Sequence, residues 1–117
     1  MARFTSLRVW QQARVLLHLV SSATRGMRAE GDLKSQLRRA VISVVSNIAE
    51  GSERGSDTEF HHFLRIANAS TAEVECQAII AVDCGCLDRS RGDAITSQCR
   101  TVGRMLNRLM AVVGKDG

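Results

Sequence analysis

The sequence contains no proline and no tyrosine, and aromatic residues make up only 3% of its 117 positions. Strands draw on aromatic and β-branched side chains, whereas proline interrupts helices, so both shortages suit long unbroken helices better than a sheet. Long apolar runs are missing as well. The longest, 15–20, is broken by His18 and falls far short of the roughly 20 residues that cross a bilayer, which excludes a membrane span. A secreted disulfide scaffold would be shorter and denser in cysteine than this chain, which has four: Cys76, Cys84, Cys86 and Cys99. The only close pair, Cys84-Gly85-Cys86, has a C-x-C spacing and not the C-x-x-C of common zinc or thioredoxin-like sites. The cysteines therefore read as small buried apolar residues plus two in a loop, in a reducing, cytoplasmic protein with no metal and no cofactor.

What is present is enough apolar material, 44% of residues, for one real core, so residues 1–117 are expected to form a single domain. Four amphipathic stretches carry it. The first is expected over about 6–22, with Ser6 as N-cap and Leu7, Trp10, Ala13, Leu17 and Val20 on one stripe. Its basic, acid-free composition also resembles a transit peptide, but the fold needs its apolar face. The second, about 32–50, opens at Asp32, carries Leu33, Leu37, Ala40, Val41, Val44 and Ile48, and is expected to stop at Gly51. Ser56-Asp57-Thr58-Glu59 is a capping-box pattern that starts the third, about 56–84, with Phe60, Phe63, Leu64, Ala67, Thr71, Val74, Ala78 and Ala81 at helical spacing. The last, about 90–113, has the cleanest seam: Ile95, Cys99, Val102, Leu106, Leu109 and Val113. Four such helices with short connections bury their stripes most simply as an all-α, antiparallel up-down-up-down four-helix bundle, with the first beside the last.

Acidic residues are absent from both ends. Residues 1–29 hold five arginines and residues 94–115 hold Arg100, Arg104, Arg108 and Lys115, while 30–93 are net acidic, within a formal charge of +4. Arg100, Arg104 and Arg108 step down one helix face with no acid in that helix to pair them, and like charges at that spacing cost a few tenths of a kcal/mol each. Fourteen arginines against two lysines suit the fork geometry that grips phosphate, so RNA or DNA backbone is the expected ligand of Arg8, Arg14, Arg100, Arg104 and Arg108. A solvated face, or one that docks on another subunit, is the plainer explanation, since no aromatic stacking platform accompanies the arginines.

The second helix carries another stripe, neither apolar nor simply charged: Gln36, Arg39, Ser43, Asn47, Glu50 and Arg54. Ser70, Glu73 and Gln77 form its counterpart on the third. Amides, hydroxyls and ion-pairing groups aligned in this way make a hydrogen-bonded seam between helices or subunits more often than a catalytic cluster.

Together these residues carry a resemblance. Gln36-Leu37-Arg38-Arg39-Ala40, then Ser43, Asn47-Ile48-Ala49-Glu50-Gly51 and Arg54, then Glu59 through Ala67 with Ser70 and Glu73, and Leu7-x-x-Trp10 upstream, resemble the bacterial four-helix bundle family encoded by intervening sequences of 23S ribosomal RNA genes. The accessory variability proteins of diversity-generating retroelements look similar. The resemblance implies a ring-like homo-oligomer, a pentamer, without established enzymatic activity. The retroelement proteins add nucleic-acid binding, and in a nucleic-acid-binding oligomer of this chain Arg38, Arg39 and Arg54 are expected to line the ring. The residues themselves argue against catalysis too: His61-His62 beside Glu59 is the one candidate cluster, and 51–55 lacks the G-K-[ST] ending of a phosphate loop. Two functions remain, a nucleic-acid-binding oligomer and a protein-protein scaffold, neither with a small-molecule substrate.

Overall fold

The computed structural model describes residues 3–27 and 31–113. A 3₁₀ turn, Arg3–Ser6, leads into α1 (Arg8–Arg25), α2 (Gly31–Ser52), α3 (Asp57–Asp83) and α4 (Arg89–Val112), and the described residues form no strand. The 27 residues of α3, at about 1.5 Å rise per residue, nearly span the long axis of a molecule 44 × 25 × 21 Å across, so the helices lie along that axis. Each helix packs on its neighbours in sequence and α1 closes against α4, while among the described residues the backbones of the diagonal pairs stay apart. Side-chain contacts report the relative direction of α2 and α3. Gln36 meets Gln77 and Ser43 meets Ser70, so positions rise along α2 as they fall along α3. Glu75 with Arg100 and Asn68 with Asn107 give the same sense for α3 and α4.

One continuous core runs through all four helices, with Leu16, Val20, Leu37, Val41, Val44, Ile48, Leu64, Val74, Ile95, Val102 and Leu106 almost wholly out of solvent. The expected stripes of the last three helices are mostly the buried ones, though Leu33, Phe60, Phe63, Leu109 and Val113 are only half-buried. α1 is rotated relative to expectation. Val9, Ala13, Leu16, Val20 and Ala23 face the core, and Leu7, Trp10 and Leu17 lie half-buried at its flank. Its apolar arc is wide enough to permit either choice, and packing selects the centre of that arc.

Helix ends follow local chemistry where a side chain can reach the first turn. The Ser56 hydroxyl accepts from the Glu59 amide at 3.1 Å and starts α3. Asp88 accepts from the Arg91 amide at 3.0 Å and starts α4, and hydrogen bonding to Arg91 holds its carboxyl below the ordinary range. Two expectations fail. Ser6 belongs to the 3₁₀ turn, so the extended residue before α1 is Leu7, which has no capping side chain. Gly51 does not stop α2, which continues to Ser52. It is buried, and a Cβ there would lie 2.7 Å from Phe63 Cβ and 3.0 Å from Phe60 Cδ1, so the missing side chain is what lets α3 approach. Asp32 sits inside the first turn of α2, and the residues that precede that helix lie outside the described ones.

Candidate nucleic-acid and subunit interfaces

The arginines that the sequence groups at the two ends do not share one strip. Arg8 and Arg108 both line a groove of about 750 Å³ between α1 and α4, together with Leu7, Val9, Met105, Leu109 and the 76% exposed Val112. Arg100 and Arg104, on the same face of α4 as Arg108, line a second groove, shared with α3. There Arg100 Nε meets Glu75 Oε2 of α3 at 3.3 Å, so the row, unpaired within its own helix, finds one partner on a neighbouring helix. Arg100 is exposed and Glu75 half-buried, so the pair contributes little stability, but it lowers the local positive field. Arg14 lies over the Trp10 ring, 5.2 Å from its centroid, and Trp10 packs edge-on against Phe4 of the 3₁₀ turn. Of the five arginines, Arg8, Arg14, Arg104 and Arg108 are exposed and enter no ion pair among the described residues, and of these Arg14 is engaged with the Trp10 ring.

The remaining three point elsewhere. Arg38 donates from Nε to the buried Thr24 hydroxyl at 2.8 Å and ties α2 to α1. Arg39 stays on its own helix and donates to Ser35. Arg54 pairs with Glu50 at 2.8 Å and lies over the Phe63 ring. All three are held by neighbours within the protomer, so each exchanges an existing contact if it binds anything outside.

The polar stripe joins α2 to α3. Ser43 and Ser70 hydroxyls share a hydrogen bond of 2.8 Å, and Asn47 Nδ2 donates to both the carbonyl and the hydroxyl of Ser43. One end is closed by Gln77, whose Nε2 donates to Gln36 and Glu73, leaving its buried Oε1 without a partner. Ser70 and Gln77 are buried, Ser43 and Asn47 half-buried, and Gln36, Arg39, Glu50, Arg54 and Glu73 exposed. A ladder that is anchored inside and open outside suits recognition by hydrogen bonding better than proton transfer.

No group of three or more His, Cys, Asp or Glu side chains among the described residues is placed to hold a metal ion. His61 is half-buried and His62 exposed, at the corner where α3 begins, in a wide shallow depression with Arg54, Glu59 and Arg65. Cys99 is buried in the core, where desolvation pushes its thiol up to about 12; Cys76, expected among the small buried residues, is exposed on α3. Glu75 was the contact that sequence reasoning missed. The signal was there in Asn68, Thr71 and Glu75, which follow one another at helical spacing and all line the groove toward α4.

Four amphipathic helices around one core, with an arginine-rich flank and a polar α2–α3 ladder, define a small all-α protein of the helical-bundle class. The chain belongs to the family described as 23S rRNA-intervening sequence protein, whose model matches residues 5–108. A crystal structure of a protein with unknown function from the S23 ribosomal protein family of Bacteroides thetaiotaomicron VPI-5482 is similar in fold, with a TM-score of 0.80 over 87% of this chain and 97% of that one, at 17% identity. No curated protein matches the chain.

Proposed function

We propose that this protein is a non-enzymatic, cytoplasmic homo-oligomer that binds the phosphate backbone of RNA or DNA through the exposed arginines of α1 and α4. The observation that carries the proposal is a pair of acid-free helix segments: α1, and α4 from residue 94 onward, contain no Asp or Glu, and Arg8, Arg104 and Arg108 are exposed there without ion pairs among the described residues. An up-down-up-down bundle of antiparallel helices supports it by setting α1 beside α4, and the opposite sequence sense of the α2–α3 and α3–α4 contacts favours that topology. The α2–α3 ladder is the surface through which we place assembly, with family resemblance favouring a ring of five.

Purified protein titrated with single-stranded and structured RNA across a salt series tests this. Wild-type affinity is expected to fall with salt, and the R8A/R104A/R108A variant to show a slope shallower by about 0.7–0.9 per lost phosphate contact. Arg100→Ala, whose guanidinium is already engaged with Glu75, is expected to change the slope less. Absence of binding at moderate salt removes the nucleic-acid proposal. A second reading, a protein-protein scaffold, is favoured by the apolar lining of the groove that Arg8 and Arg108 share, which phosphate binding does not require. It is expected to show protein association sensitive to Met105→Glu and no RNA affinity.

A further inference from the structure

The turn between α3 and α4 holds a pair of thiols that nothing above employs. α3 ends with Cys84 as its C-cap, Gly85 follows at φ 78°, and Cys86 comes next. The Cys86 amide donates to the Ala81 carbonyl at 2.9 Å and the Gly85 amide to the Val82 carbonyl at 3.0 Å, the two crossed bonds of a Schellman end. The backbone at both cysteines is thereby fixed. A left-handed residue mirrors the helical one, so by helix geometry the Cα atoms that flank Gly85 stand roughly 5.4 Å apart. That is inside the separation of about 4.4–6.8 Å at which a disulfide closes. Cys84 is exposed, and Cys86 is half-buried at the edge of the core.

We infer that Cys84 and Cys86 form a thiol–disulfide exchange site whose substrates are low-molecular-weight disulfides such as oxidised glutathione. The exposed Cys84, as thiolate, attacks one sulfur of the small disulfide; a Cys84–glutathione bond forms and one glutathione thiolate leaves with the electron pair and takes up a proton. Cys86, after losing its proton to solvent, attacks Cys84 Sγ; the internal bond forms and the second glutathione leaves. Two protein thiols are oxidised and one external disulfide is reduced to two thiols. Excess reduced glutathione runs the steps backwards. A bond closed over a single intervening residue in an exposed turn belongs with the strained, readily reduced disulfides, so the site cycles where a structural bridge would not.

The other cysteines lack this chemistry for separate reasons. Cys99 is buried, 1% exposed, with its thiol held protonated. Cys76 is exposed but lies eight residues before Cys84 on the same helix, about 12 Å along its axis, so exchange there stops at a mixed disulfide.

The test uses the full chain, reduced and then equilibrated with oxidised glutathione at several ratios to reduced glutathione, trapped with iodoacetamide and cleaved on the amino side of aspartate. Cleavage before Asp83 and Asp88 releases 83–87, which carries Cys84 and Cys86 without Cys76. The expected product is this peptide lighter by two hydrogens and unalkylated, restored by excess reduced glutathione. Cys86→Ser is expected to convert it to a glutathione adduct on Cys84, and Cys84→Ser to leave Cys86 largely alkylated. Doubly alkylated peptide at every ratio, a wild-type adduct that never resolves, or oxidation confined to Cys76 would each overturn the inference.

Discussion

At the scale of single residues, the glycines separate two jobs that look identical in sequence. Gly51 is there because α3 needs the space. Gly51→Ala is expected to destabilise by about 1–3 kcal/mol, the usual cost of overpacking, because the added Cβ meets Phe63 and Phe60 and outweighs alanine's helix preference. Gly103, inside α4, has nothing closer to a new Cβ than Asn68 Oδ1 at 4.0 Å. Gly103→Ala is therefore expected to stabilise by up to about 1 kcal/mol, and urea unfolding of the two variants reads both signs. Cys99 gives a pH signature. Its thiol is raised from 9.0 to about 12 by burial, so the folded state keeps the proton that the unfolded chain releases. Stability is accordingly full below about 9 and declines as pH rises toward 12. Cys99→Ala is expected to lose that component of the decline, which thermal melts across the alkaline range would measure.

At the scale of elements, cap and seam chemistry were legible to different depths. Ser56 was legible because a cap is a bond between residues three apart, and sequence contains that distance; Asp88 caps over the same distance but was not singled out from the sequence. Ser6 and Gly51 were misread because each has a second use, in a 3₁₀ turn and in a close helix approach, that only neighbours reveal. The α2–α3 ladder was visible as two stripes, but which rungs meet depends on the relative shift of the helices. With Ser43 and Ser70 as partners, a double-mutant cycle on Ser43→Ala and Ser70→Ala is expected to show a coupling of about 1 kcal/mol. Pairing Ser43→Ala with Gln77→Ala, farther along the ladder, should give much less. Equal couplings would mean that the register is not the one described.

At the scale of the whole molecule, the distribution of charge decides what the bundle can meet. Exposed arginines that no acid within the protomer answers remain available to an outside anion, whereas Arg38 and Arg54 are spent within it. If the ladder is a subunit interface, the exposed Glu50 is its most informative position. Glu50→Ala removes only a solvent-exposed ion pair from the protomer, worth at most about 1 kcal/mol, so folding is expected to survive. A fall in mass by light scattering with the helical signal unchanged is the expected outcome. An unchanged mass would place assembly on another surface. Asn47→Ala is a harsher test, because that side chain also holds Ser43.

Helix number, approximate helix limits, most of the core and the unequal charge of ends and middle were determined by the sequence itself, since periodicity, caps and composition act over a few residues. Tertiary structure alone decided which face of α1 turned inward, that Arg100 meets Glu75 while Arg8 and Arg108 line one groove, and that Gly51 serves packing. The physical reason is the same in each case. An amphipathic stripe prescribes burial within a wide arc, and the partner that fills the arc comes from a distant helix whose rotation and axial shift are settled only when the four helices pack together.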